Sequence, residues 1–429
     1  MGSAPFKATQ PAPEAESHLS EKTLLQSFSD VRISVPLSKD GALRLDHVDR
    51  WESAVAQSPK LKLSRSILSH SNLDETLLRR EAVIATPHVF NLELDFKTGP
   101  ITDQKDTGRC WVFASTNVLR YNVQKKLNLE ELQLSQSYLF FWDKLNKANY
   151  YLELSIELAE LPVDARLIQY LAKSLISDGG QWDMAVNLFE LRAKKEELLK
   201  EVYVVLSATL GVAPKPDEAF TWDYYDKSGK AGSWTGTPKE FYKAFAYDNY
   251  PPAESFSLIH DPRNEYGKLY TINKLGNIWR ARPVLYVNTQ IDNLKQAVVR
   301  QIKAGHPVFF GCDVGKFSND PLGIMDQELF EYEAAFDITF GLSKADRLRT
   351  LESQMTHAMV ISGVHLDKEG NPVRYKVENS WGPNEGNKGY FVMSDRWFEE
   401  WLAPKDLVKV FEGEERVVLP AWDPMGALA

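Results

Sequence analysis

The stretch Gln104-Lys-Asp-Thr-Gly-Arg-Cys110-Trp111 constrains this chain most, because it sets a reactive thiol at the start of a helix. From Cys110 to about Leu127, the residues Val112, Thr116, Leu119, Val123 and Leu127 recur at three- and four-residue spacing. That spacing predicts a helix with one buried stripe, and Gly108 suits a tight entry to it. A cysteine that opens a helix meets the partial positive charge of the helix N-terminus, which favours the thiolate. Gln104 lies six residues earlier, with a side-chain amide able to reach an oxyanion formed at that thiol. Far downstream, Thr356-His357-Ala358 supplies an imidazole and Glu378-Asn379-Ser380-Trp381-Gly382 an amide to orient it. A nucleophile, a base and an orienting group are the three parts that thiol catalysis requires.

The roles follow from the chemistry. Cys110 is the candidate nucleophile, and His357 its ion-pair partner and the acid for the leaving amine. An adjacent imidazolium would lower the thiol pKa further. Asn379 would accept from the second imidazole nitrogen and fix the ring. Trp381 could shield that bond from water. The Gln104 amide and the Cys110 backbone N–H would donate to the oxyanion. Cys312 follows Val308-Phe309-Phe310 and is expected to pack in a strand. The remaining histidines lack matching context and are expected to be structural or superficial. Asp178-Gly179-Gly180-Gln181 has two readings, a helix stop or a bare backbone edge to which a peptide substrate adds like a strand. No His/Cys cluster has metal-ligand spacing and no glycine loop resembles a phosphate cradle, so neither a metal nor a cofactor is expected.

The rest of the chain supports a large α+β protein. Helices are predicted around Asp74–Ala85, from Tyr138 to Leu145 capped by Ser135, at Asp164–Ser174, and at Leu191–Glu201 with a possible extension through Leu206. Phe90–Thr98 alternates as a strand, and Trp222–Trp234 reads as a hairpin. Thr237-Pro238-Lys239-Glu240 is a capping box with proline at the first helical position. Strands then dominate: Val284–Val287, Val308–Gly311, Met359–Val364, Tyr375–Glu378 and Tyr390–Met393. A helical first half and a β-rich second half predict a cleft between them. The net charge of −9 leaves no basic footprint, so nucleic acid is a partner without support from charge. Two cysteines in 429 residues make no disulfide framework and fit a reducing compartment. With no visible leader and no apolar run of about 20 residues, the expectation is a cytoplasmic protein with no membrane association, a mitochondrial pool being the alternative.

Gln104, Cys110-Trp111, His357 and Asn379-Ser380-Trp381-Gly382 resemble the papain superfamily. Within it, Gly108-Arg109-Cys110-Trp111, Leu134-Ser135-Gln136-Ser137-Tyr138, Asp261-Pro262-Arg263, Met355-Thr356-His357-Ala358-Met359 and the tail Trp422-Asp423-Pro424-Met425-Gly426-Ala427-Leu428-Ala429 are similar to the bleomycin hydrolase family. The resemblance implies a papain-like two-lobed fold with an N-terminal hook, a helical insertion and a C-terminal arm. On that scheme residues 1–20 are a disordered tail, 21–98 the hook, 99–189 the helical lobe, 190–280 the insertion, 281–412 the β-rich lobe and 413–429 the arm. It also implies a homohexameric ring acting on peptides. The carboxylate of Ala429 would hold the substrate's α-amino group and so give aminopeptidase action. Gly179 and Gly180 match the substrate-binding glycines of papain-like enzymes. Hydrolysis of bleomycin and of homocysteine thiolactone is implied as well. Two departures stand out. The chain already stops at the Gly-Ala-Leu-Ala end, so self-trimming is not expected, and a segment that normally follows Asn187-Leu188-Phe189 is missing. The competing expectation is a catalytically impaired ring scaffold or nucleic-acid-associated protein.

Overall fold

The computed structural model describes residues 41–173, 175–181, 183–184, 198–247, 257–404 and 416–427. The expected tail at 1–20, the start of the helix expected at Leu191 and the carboxylate of Ala429 lie outside the described residues. The chain forms two compact units, one made of the chain up to Leu77 with Glu331–Ser343, the other of Leu78–Phe330 with Lys344–Ala429.

The first unit joins short helices from distant parts of the sequence. Leu45–Gln57 runs into Pro59–Leu68, whose cap Ser58 accepts from the Leu61 N–H. Tyr332, on the helix Tyr332–Phe336, donates its hydroxyl to Asp74, and Lys60 pairs with Asp337 at 2.8 Å. The single helix expected over Asp74–Ala85 is two helices, Leu73–Thr76 and Arg80–Ala85. The chain breaks there because the Leu77 carbonyl accepts from the Glu331 N–H, while Leu78 bridges Phe330. Sequence-distant partners thus take the backbone groups a continuous helix would use.

In the second unit, β1 (Leu92–Glu93) is all that forms of the strand expected over Phe90–Thr98. Beyond it, Asp95 turns to an ion pair with Lys125. Helix α1 spans Cys110–Leu127, as its periodicity predicts. It is not a helix with one buried stripe, however, since every residue from Cys110 to Gln124 is buried. Its polar face is enclosed with most of its polar groups met by other segments, while Asn117 Oδ1, Arg120 Nε and Gln124 Oε1 stay without a partner among the described residues. Asn117 donates to Thr102 Oγ1, Gln124 to the Gly99 and Glu130 carbonyls, and Arg120 to Glu378.

Helix α2 (Gln136–Glu157) begins under the Ser135 cap and runs well past Leu145. The polar run beyond Trp142 looks like a helix end in sequence, yet Asp143, Lys144 and Lys147 are buried and partnered. Arg166–Ala172 forms the next helix, and the described part of the insertion resumes with Leu198–Leu210. The hairpin β2 (Phe220–Tyr225) and β3 (Ala231–Gly236) pairs Trp222 with Trp234, and the capping box at Thr237 and Glu240 is complete. Strands β4 (Ser257–Ile259), β5 (Leu269–Ile272) and β6 (Tyr286–Asn288) follow, then helix α3 (Ile291–Lys303).

The remaining strands are β7 (Val308–Cys312), β8 (Ser318–Asn319), β9 (Ile324–Met325), β10 (His357–Leu366), β11 (Pro372–Glu378), β12 (Tyr390–Ser394), β13 (Leu402–Pro404) and β14 (Arg416–Leu419). The main sheet has the order β13-β7-β10-β11-β12-β9-β8, with β1 on β10. A second sheet has the order β14-β5-β6-β4. Its members come from the stretch before α3 and from the chain's end, so the C-terminal segment is built into the fold. One core packs α3 against the main sheet through Leu294, Val298, Phe310 and Ile361. A second core gathers Trp111 and Val118 of α1, Tyr270 and Tyr286 of the second sheet, and Ala358 of β10. Cys110 is part of that second core.

Candidate active site

The site grows from two element starts that meet. Cys110 is the first residue of α1 and His357 the first of β10. Cys110 and Ala358, the residue after His357, share one core cluster, and the Ala358 backbone N–H favours the thiolate of Cys110. Asn379 immediately follows β11, which pairs antiparallel with β10 in a register that sets Val360 opposite Glu378. His357 Nε2 lies 2.8 Å from Asn379 Oδ1, which also accepts the Ser380 N–H at 2.8 Å. That bond occupies Nε2 and leaves Nδ1 as the ring nitrogen for proton transfer. The Trp381 ring stacks on the imidazole at a centroid distance of 4.7 Å and 28°. The His357–Asn379 bond is thereby covered, and His357 is only 3% exposed.

Gln104 is tied to the same loop. Its backbone N–H donates to Ser380 O at 2.8 Å, and Ser380 Oγ donates to Gln104 Oε1 at 2.7 Å. Asp103 bridges Trp381, and Gly382 donates to Thr102 O. Gly382 has φ +83°, a left-handed turn that a side chain would strain. Two strips of extended chain therefore hold the amide and the Asn379 loop in one register. Gln104 Nε2 gives one hydrogen to Thr107 O at 2.7 Å. An amide nitrogen has two, so one remains for a ligand.

Burial dominates the titration of both central groups. It pushes the Cys110 thiol up to about 11, opposed by backbone N–H bonds from Ala358, Trp111 and Cys110 itself. It pushes His357 down to about 4, opposed by the bond to Asn379. Both directions favour the uncharged pair, against the resting ion pair the sequence suggests. A helix N-terminus favours the thiolate, but enclosure in an apolar core costs a charge more. The N–H groups at the sulfur stabilise negative charge once it forms.

Gly179 and Gly180 differ in what they offer. The Gly179 carbonyl accepts from Lys147 Nζ at 2.8 Å. Gly180 is buried, and among the described residues its backbone makes no hydrogen bond. Its missing side chain matters: a Cβ there would lie inside the van der Waals surface of the Trp111 ring. Trp111 Nε1 donates to Asp178 O at 2.8 Å, which locks the glycine segment beside the nucleophile. The preceding helix already ends at Ala172, so this segment does not stop it. Cys312 sits in β7 directly opposite His357 and is buried, as a core cysteine should be.

Sequence reasoning missed three features here. Lys147 is buried, ion-paired with Asp143 at 2.8 Å, and holds the Ser177 and Gly179 carbonyls. The spacing of Asp143 and Lys147, four apart on a helix, was the available signal. Arg263 joins Asp261 to Asp423 of the arm at 2.6 and 2.9 Å. Gln181 reaches Ala427 O. No local pattern announces the last two. Among the described residues no group of His, Cys, Asp and Glu could hold a metal ion, and no helix is long and apolar enough to cross a membrane.

The peptidase C1-like family model matches residues 42–191 and 189–426. The chain belongs to the peptidase C1-like family. Cysteine proteinase 1, mitochondrial, of Saccharomyces cerevisiae (strain YJM789) is 36% identical over 455 aligned positions, covering 90% of this chain and 93% of the relative. Human bleomycin hydrolase is 36% identical, covering 86% and 95%. The crystal structure of PepW from Lactobacillus rhamnosis superposes with a TM-score of 0.83 at 32% identity, covering 92% and 100%. The protein is accordingly a cysteine peptidase of the bleomycin hydrolase type, and its α+β fold is papain-like. The family match falls into two stretches that overlap at 189–191, beside the Phe189 after which a segment is expected to be missing. The yeast alignment spans 455 positions, more than 90% of 429 residues can fill, so part of the relative has no counterpart here.

Proposed function

We propose that this chain is an aminopeptidase in which Cys110 attacks the first peptide bond of an unstructured substrate. The observation that carries the reading is the meeting of the two element starts, with the Ala358 N–H favouring the Cys110 thiolate and His357 Nε2 fixed on Asn379. Nδ1 of His357 takes the thiol proton as sulfur bonds to the carbonyl carbon, and returns it to the leaving amine. The free Gln104 amide hydrogen and the Cys110 backbone N–H stabilise the oxyanion, and each such donor is worth about 3–4 kcal/mol. Water then cleaves the thioester. Gly180 binds the substrate backbone along its unpaired edge. The arm limits cleavage to one residue: Asp423–Ala427 are anchored at Arg263 and Gln181, and the carboxylate of Ala429, two residues on, holds the α-ammonium group. By likeness to human bleomycin hydrolase, the amide of bleomycin is a further substrate. Assembly into a homohexamer and a cytoplasmic, reducing compartment belong to the same reading, the latter supported by two buried, unpaired cysteines.

The test uses an aminoacyl-coumarin amide and its N-acetylated twin. The native chain should cleave the first and reject the second, and Cys110→Ala should abolish cleavage while leaving the circular dichroism spectrum unchanged. Activity that survives Cys110→Ala refutes the assignment. Equal cleavage of both substrates refutes the aminopeptidase reading.

A further inference from the structure

Gln181 stands where three parts of the site meet. Its side chain is buried, and Nε2 donates to Ala427 O at 2.7 Å, with Met425 O at 3.5 Å. Through its backbone it continues the glycine segment. That segment is fixed to the nucleophile's neighbour by Trp111 Nε1 on Asp178 O and by the close fit of Gly180 on the Trp111 ring. A short path of tight contacts therefore runs from Cys110 through Trp111 and Asp178–Gln181 to Ala427.

The rest of the arm is held elsewhere. β14 pairs with β5, Arg263 clamps Asp423, and Met425 is buried in the second core. These contacts keep the arm on the protein; Ala427 itself is held by its N–H on Pro424 O at 3.1 Å and, at its carbonyl, by Gln181. From Ala427 to Ala429 the chain can reach no more than about 7 Å. Where Ala427 is held thus decides where the terminal carboxylate can be.

We propose that Gln181 is a specificity-determining residue that sets the register between the chain terminus and the thiol. This rests on the reading above, in which the terminal carboxylate holds the substrate's α-ammonium group. Without the Gln181 bond, the arm stays docked through β14 and Arg263, but the Ala427 carbonyl loses its side-chain anchor. Substrates lacking a free amine at the right place then compete better, and cleavage is no longer confined to the first bond.

The experiment compares the native chain, Gln181→Ala, Gln181→Glu and a chain ending at Ala427. The probes are the free-amine and acetylated coumarin amides and an unstructured decapeptide whose products are read by mass spectrometry. In Gln181→Ala the free-amine to acetylated ratio of kcat/KM should fall about tenfold, as loss of one buried neutral hydrogen bond allows. The change should lie mainly in KM for the free-amine substrate. Fragments lacking two or more residues should appear from the decapeptide. Gln181→Glu should do the same or more, because an ionised carboxylate cannot donate to the Ala427 carbonyl. A purely structural role would lower kcat/KM for both substrates together and leave the ratio unmoved, which would overturn the proposal. If the chain ending at Ala427 loses discrimination while Gln181→Ala keeps it, the Gln181 role alone is wrong. If the shortened chain also keeps it, the carboxylate reading itself fails.

Discussion

Replacing Arg120 with methionine should destabilise the second unit by about 4 kcal/mol. Arg120 Nη2 meets Glu378 Oε1 at 2.7 Å, with the two side chains only 1% and 5% exposed. Nη1 also donates to Pro100 O and Leu132 O at 2.6 and 3.2 Å. Once the guanidinium is gone, Glu378 keeps one long contact, Thr98 Oγ1 at 3.5 Å. A buried charge left without its partner costs about 3–5 kcal/mol. The two stranded carbonyls add about 1 kcal/mol each at most, and burial of the methionine side chain offsets a similar amount. Urea unfolding followed by tryptophan fluorescence measures the loss. The double variant Arg120→Met/Glu378→Leu should recover most of it, because the unpaired charge is then gone. Glu378 is the neighbour of Asn379, so the single variant should also lose kcat/KM through a displaced imidazole. A loss below about 1 kcal/mol, or a double variant no better than the single, would show that this buried pair does not hold α1 to β11.

Two further predictions concern the site itself. Because His357 is held down to about 4 in the folded protein, its contribution to stability is fully present above the unfolded value of about 6.5 and is lost as pH falls through that window. Over the whole window the loss is about 3 kcal/mol, and urea midpoints of the native chain and His357→Gln should converge on acidification. Parallel pH profiles for the two would refute the shifted imidazole. Gly180→Ala drives a methyl group into the Trp111 ring, so kcat/KM should fall at least tenfold and stability by about 1–3 kcal/mol. Unchanged kinetics would mean that Trp111 can yield and that Gly180 is not the substrate edge.

Much of the site was legible because its residues sit at element starts, where local chemistry is strong. Helix α1 begins and ends at Cys110 and Leu127 as its spacing predicts, Ser135 caps α2, and the box at Thr237 and Glu240 closes as written. The five strands expected from Pro283 onward all form, within a few residues of their predicted bounds. These features depend on interactions within a few residues, and a sequence displays them directly. The order of the Gln, Cys, His and Asn segments also identified the family.

Tertiary structure decided what depends on long-range partners. The polar face of α1 reads as a surface and is enclosed, because Glu378, Thr102 and Gly99 come from other segments to satisfy it. Lys144 and Lys147 read as the end of a helix and instead hold the loop before Gln181 from within. The helix expected over Asp74–Ala85 breaks at partners some 250 residues away. Enclosure also raises the Cys110 thiol and lowers the His357 imidazole, where the helix start alone argued for a thiolate. Sequence patterning sets which faces are apolar and which residues can cap or turn. Burial and hydrogen-bond satisfaction belong to the assembled chain, because they depend on which distant segment arrives at a given face.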